Sequence, residues 1–114
     1  LNARKGEDDM DHHHSKIKDR TIDELFQAIL KLENLEECYR FFEDICTIKE
    51  IQSIAQRLQV AKLLKENVKY TQIEEETKAS TATISRVNRS LKYGANGYLL
   101  ILERLGYGDV KREE

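Results

Sequence analysis

The sequence predicts an all-α protein built from six short helices. Three observations carry that reading. The chain has 114 residues with no Pro and five Gly, too few punctuating residues for the many special turns of a sandwich or barrel. Start signals of the form Thr-x-x-Glu or Asn-x-x-Glu recur at Thr21–Glu24, Asn34–Glu37, Thr47–Glu50 and Thr71–Glu74. In such a pair each side chain satisfies a backbone N–H left free in the first helical turn. Behind each signal, apolar residues return every three or four positions, the period of one helix face.

Residues 1–20 read as a tail. Gly6, Glu7, Asp8 and Asp9 are polar without period, and His12, His13 and His14 suit a mobile tail or tag remnant better than a metal site. Thr21 opens the first helix, which carries Ile22, Leu25, Phe26, Ile29 and Leu30 and runs to about Leu32. The second, residues 35–45, shows Leu35, Cys38, Tyr39, Phe42 and Ile45. Thr47 opens the third and longest, with Ile51, Ile54, Ala55, Leu58, Ala61 and Leu64. It should stop near Asn67, a residue type that tolerates the left-handed geometry of a helix end. Thr71 opens a short fourth helix to Thr77, and Ser80 or Thr81 caps a fifth that runs to about Tyr93. Gly94, Asn96 and Gly97 break the chain, Tyr98 to Leu105 form the last helix before Gly106, and residues 108–114 read as a C-terminal tail. Residues 21–107 then make one domain. The first two helices are short and apolar over wide arcs, more than one small chain can cover, so an interlocked homodimer is expected.

Composition narrows the function. The hydrophobic share is 39% and the charged share 35%, and no apolar run approaches the roughly 20 residues of a membrane span. No membrane partner is expected. With no signal-peptide pattern, the cytoplasm is the expected location. Cys38 and Cys46 are eight residues apart on one expected helix, about 12 Å at ~1.5 Å per residue, too far for a disulfide, and read as reduced packing residues. There is no Gly-rich phosphate loop, no metal-ligand spacing outside the tail and no nucleophile–base pair, so an enzyme is not expected. The Glu74-Glu75-Glu76 run reads as a solvated helix face. Net charge is −2, but it is unevenly distributed. From Lys78 to Tyr93 the chain carries Lys78, Arg86, Arg89 and Lys92 and no acid, whereas residues 22–46 hold seven acids. A local basic segment in an acidic protein can still neutralise phosphates.

That segment lies in the most informative stretch, Tyr70-Thr-Gln-Ile-Glu-Glu-Glu-Thr-Lys-Ala-Ser-Thr-Ala-Thr-Ile-Ser-Arg86. It reads as two helices joined by a tight turn. Ile73 and Thr77 face inward on the first, and Ile84, Val87 and Leu91 form the packing stripe of the second. Small and hydroxylated residues at the second start suit close approach to a DNA major groove, where hydroxyls bond bases or phosphates and Ala82 can touch a thymine methyl. The candidate DNA-binding residues are Thr71, Gln72, Lys78, Ser80, Thr81, Ala82, Thr83, Ser85, Arg89 and Lys92. Thr81, Ala82 and Ser85 should choose sequence, while Lys78, Arg89 and Lys92 mainly contact phosphates. The competing reading from another class is a helical interaction adaptor without DNA binding.

Ala82-Thr-Ile-Ser-Arg86, followed by Asn88 and Ser90-Leu91-Lys92, closely resembles the recognition helix of the bacterial Trp repressor. Thr47-Ile-Lys-Glu-Ile-Gln-Ser-Ile-Ala-Gln-Arg57 resembles the long central helix of the same family. The match covers roughly Phe42 to Leu105 and looks most like the branch labelled YerC/YecD. The resemblance implies the six-helix Trp-repressor-like fold with a helix-turn-helix, an intertwined homodimer, and regulation of transcription, as a repressor, at a palindromic operator in double-stranded DNA. It also implies a corepressor pocket, to which Thr47, Arg57, Thr83, Arg86 and Ser90 match. Two positions depart from the pattern. Lys78 stands where the turn usually has Gly, at a cost on the order of 1 kcal/mol if its φ is positive. Val87 stands where the family has a bare Gly backbone beside the corepressor slot. Arg57 or Arg86 could fork onto a carboxylate, but overfilling the slot disfavours tryptophan itself. No cofactor is expected beyond a different small corepressor, if any.

Overall fold

The computed structural model describes residues 14–108. Residues 1–13 and 109–114, and with them His12, His13 and all of the expected C-terminal tail but Gly108, lie outside the described residues. No group of His, Cys, Asp and Glu suited to a metal occurs among the described residues. Six helices follow in order: α1 (Arg20–Ile29), α2 (Leu35–Ile45), α3 (Ile48–Lys65), α4 (Tyr70–Thr77), α5 (Thr81–Tyr93) and α6 (Gly97–Arg104). The chain divides into two compact units, Leu1–Ile45 and Cys46–Glu114.

In the first unit, α1 starts ahead of the expected Thr21. Asp19 is the cap, its carboxylate accepting from the Thr21 N–H at 3.4 Å and from the Thr21 hydroxyl at 2.8 Å. A charged acceptor two residues upstream thus takes the role foreseen for Thr21. Lys18 pairs with Asp23 at 2.7 Å. α2 begins as its signal indicates: Asn34 Oδ1 accepts from the Glu37 N–H at 2.9 Å, while Glu37 reaches back to the Glu33 N–H. Neither helix buries a single residue in the chain. Their apolar arcs are narrower than expected, because Ile22, Leu25, Phe26 and Ile29 share one face of α1 and the polar residues hold the other. Leu30, Leu35 and Tyr39 are 81%, 72% and 61% exposed. Cys38 and Cys46 are free thiols.

The second unit has a core. Val60, Ala61 and Leu63 of α3, Ile73 of α4, Ala79 of the turn, Ile84 and Val87 of α5 and Leu102 of α6 are buried together, with Leu58, Leu64, Val68, Leu91 and Tyr98 packed around them. α3 is the scaffold on which α4, α5 and α6 rest. It starts with the complete Thr47–Glu50 capping box, at 3.0 and 2.8 Å. It stops at Asn67, whose φ is 64°. The chain leaves α5 at Gly94, where a Cβ would sit 2.5 Å from the Ser90 carbonyl oxygen. Beyond α6, Gly106 turns at φ 93° and brings the Tyr107 ring under Lys62 Nζ, 4.2 Å from the ring centroid. That cation–π contact ties the C-terminal turn to α3. No helix among the described residues is long and apolar enough to cross a membrane.

Candidate nucleic-acid interface

α4, the turn and α5 are locked by short local bonds. The Lys78 N–H closes α4 on the Glu74 carbonyl at 2.9 Å. Lys78 itself has φ 63° and ψ 14°, the left-handed conformation that the usual Gly would adopt without strain. Ala79 is buried. The Thr77 hydroxyl donates to the Ile73 carbonyl at 2.8 Å and accepts from the Ala79 N–H at 3.1 Å. Gln56 Nε2 of α3 donates to the Thr77 carbonyl at 3.0 Å, fastening the turn to the scaffold. Ser80 then caps α5 by accepting from the Thr83 N–H at 3.1 Å. The angle between the two helices is therefore held at several points.

At 3.6 residues per turn, Ile84, Val87 and Leu91 fall on one side of α5, and Thr81, Ala82, Ser85, Arg89 and Lys92 on the other. Burial follows that division: Ile84 is 0% and Val87 1% exposed, while Thr81, Ala82, Ser85, Arg86, Arg89 and Lys92 are all exposed. Lys78, Arg86, Arg89 and Lys92 make no ion pair among the described residues. Their charge is available to phosphates.

The remaining candidates are more constrained than the sequence suggested. Thr83 is half-buried and accepts the Ser80 hydroxyl at 3.1 Å. Thr71 does not cap α4. The helix begins one residue earlier at Tyr70, with Lys69 at the cap and no side-chain cap bond. Across the turn, the Glu74 carboxylate accepts the Thr81 hydroxyl and so does not close a box with Thr71. Glu74 is therefore not simply part of a solvated face, as the acidic run suggested. Gln72 remains exposed but spends its amide on Glu76 at 2.8 Å.

A cavity of about 460 Å³ opens where α3, the end of α5 and the start of α6 meet. Ile54, Leu58, Tyr98 and Ile101 make most of its wall apolar, Gly94, Ala95 and Gly97 keep one side small, and Arg57 and Ser90 supply polar groups. Of the five residues matched to a corepressor pocket and Val87 placed beside it, only these two line the cavity. Thr47, Thr83, Arg86 and Val87 do not: Thr47 caps α3, Thr83 serves the α5 cap, Arg86 faces solvent, and Val87 is turned into the core. Five of the other lining residues, Gly94, Ala95, Gly97, Tyr98 and Ile101, come from the α5–α6 junction and α6, for which no local sequence signal existed.

A family model described as Trp repressor protein matches residues 20–106. The chain belongs to the Trp repressor family. The match extends beyond the stretch from Phe42 to Leu105 on which the resemblance was read, taking in α1 and α2. Among relatives, the chain is similar to the Bacillus subtilis (strain 168) protein YerC, 58% identical over 90 residues that make up 79% of this chain and 86% of YerC. It also resembles two solved structures. One is a "putative Trp repressor" from Staphylococcus aureus, with TM-score 0.78 and 58% identity over 81% of this chain and 92% of that one. The other is a TrpR-like protein from Eubacterium eligens ATCC 27750, with TM-score 0.79 and 54% identity over 88% of this chain and all of that one. The six-helix Trp-repressor-like fold read from the sequence is thus the fold of the chain, and a DNA-binding regulatory role is the general character of the family.

Proposed function

We propose that this protein is a sequence-specific DNA-binding regulator, a repressor, that reads the major groove with α5 and acts as a homodimer on a palindromic operator. The observation that carries the reading is the arrangement of α5. Ile84 and Val87 of its core face are buried, its opposite face presents Thr81, Ala82 and Ser85 at the groove end, and the acid-free stretch supplies cations beside them. Short side chains near the N-terminus let a helix approach base edges, and unpaired Lys and Arg take the flanking phosphates. The unburied apolar faces of α1 and α2 support a homodimer, because a second copy would remove them from water. Two reading helices would then lie about one DNA turn apart, roughly 34 to 36 Å.

The cavity supports a small corepressor that carries a carboxylate. Arg57 is half-buried and offers a planar fork to a carboxylate, and the apolar wall suits a small hydrophobic body. Selection of bound duplexes from a random pool, followed by affinity measured across a salt series, tests the main reading. The expected result is a two-fold symmetric motif and an affinity that falls steeply with salt. Equal indifference to DNA at low and high salt would establish the adaptor reading instead.

A further inference from the structure

Three hydroxyls cluster at the start of α5, and two of them have committed their protons inside the protein. Ser80 Oγ donates to Thr83 Oγ1 at 3.1 Å, and Thr81 Oγ1 donates to Glu74 Oε2. Thr81 is the first residue of α5 and is exposed, whereas Glu74 comes from the middle of α4 and is half-buried. A hydroxyl that has given its proton away offers only lone pairs, and an ionised carboxylate never offers anything else. The two side chains together therefore form an acceptor-only pair at the end of the helix that would meet the groove.

Acceptors discriminate among bases in the major groove. Each base pair shows there one exocyclic amine, N6 of adenine or N4 of cytosine, beside the acceptors N7, O6 and O4. An acceptor-only pair is attracted to the amine and repelled by the other groups, so it fixes which strand carries the amine-bearing base. We propose that Glu74, acting with Thr81, is a specificity-determining residue that selects adenine or cytosine on the strand facing the first turn of α5. This rests on the reading of α5 as a DNA-binding helix. A residue of α4 would then set part of the sequence preference of its neighbour. Because a carboxylate near phosphates opposes binding to every sequence, its benefit should appear in discrimination and not in affinity.

Glu74→Gln tests this by keeping the shape of the side chain while adding a donor and removing the charge. Thr81→Val removes the hydroxyl at an exposed position, with circular dichroism as the check that the variant folds. The wild-type protein, both single variants and the double variant are taken through selection from a random duplex pool. Affinities are then measured by fluorescence anisotropy on duplexes that differ at the selected position. The wild type is expected to prefer A or C over G or T at one position per half-site, within the roughly five- to 150-fold range of a good base contact. Glu74→Gln should lose most of that preference while binding all duplexes more tightly, Thr81→Val should lose a similar share, and the double variant should lose no more than the worse single. Unchanged discrimination in Glu74→Gln, or losses that multiply in the double variant, overturn the pairing while leaving DNA binding in place. Absence of salt-dependent binding by the wild type overturns the DNA-binding reading and this proposal with it.

Discussion

Replacing Val87 separates two roles that the residue could have. The family resemblance places it beside a corepressor slot, where Val87→Gly would reopen the slot at little cost. The structure places its side chain in the core of the second unit, 1% exposed among Val60, Leu63, Ile73 and Ile84. Truncation to Ala removes two methyl groups at about 0.8 kcal/mol each. The space they leave adds about 1 kcal/mol if some 40 Å³ stays open, so Val87→Ala should cost about 2.5 kcal/mol. Going on to Gly removes one more carbon, about 0.8 kcal/mol, and adds about 1 kcal/mol in helix propensity, for a total of about 4 kcal/mol. That is a large part of the ~5 to 15 kcal/mol typical of a whole domain. Urea unfolding followed by circular dichroism, at several protein concentrations because dimerisation adds to apparent stability, measures the difference. If both variants unfold within about 1 kcal/mol of wild type, and Val87→Gly gains tryptophan binding by calorimetry, the core assignment is wrong and the residue belongs to the slot.

Arg89→Ala and Lys92→Ala should each weaken binding to all duplexes alike and reduce the salt slope by about one unit. A shift in preferred sequence with an unchanged slope would reverse the roles given to phosphate and base contacts. Lys78→Gly should act with opposite signs on two properties, relieving up to about 1 kcal/mol of left-handed strain while weakening DNA binding. Thermal unfolding and anisotropy on the same samples read both. Asp19 gives α1 an acid-sensitive start. The Thr21 hydroxyl, and after it the Thr21 N–H, hold its carboxyl below the ordinary 3.8. A folded-state value below the unfolded one means that the cap's contribution is present above 3.8 and is lost as pH falls through the folded value. Amide exchange in α1 should therefore quicken in acid, and Asp19→Asn should remove that dependence.

What was legible in the sequence was what is decided locally. The Thr47–Glu50 box, the Ser80 cap, the left-handed turns at Asn67 and Lys78 and the buried stripe Ile84–Val87–Leu91 each depend on residues within a few positions of one another, so pattern alone exposes them. The departures came where a residue outside the expected pair took part. Asp19 accepts from the Thr21 N–H and hydroxyl and starts α1 ahead of Thr21, and the Glu74 carboxylate accepts from Thr81, seven residues away across the turn, where a bond back to Thr71 was expected. Only the spacing of an acid and a hydroxyl on either side of a helix-turn-helix could have hinted at that second exchange. The cavity is a tertiary object, gathering residues from Ile54 to Ile101. The resemblance supplied Arg57 and Ser90 and could not supply Gly94, Ala95, Gly97 or Tyr98. The narrow apolar faces of α1 and α2 were overestimated because counting apolar residues is not the same as placing them around an axis.

The division of α5 into a buried and an exposed side also bears on how such a protein could change. Ile84 and Val87 hold the fold without reaching the exposed side, and Ala82, Ser85 and Arg89 lie on the exposed side without filling the core. Mutations at the second set are therefore nearly free of consequences for stability. A combinatorial library at those three positions should consist largely of folded proteins, each free to favour a different stretch of DNA. Lineages sharing this scaffold could drift from one set of target sites to another without passing through unfolded intermediates.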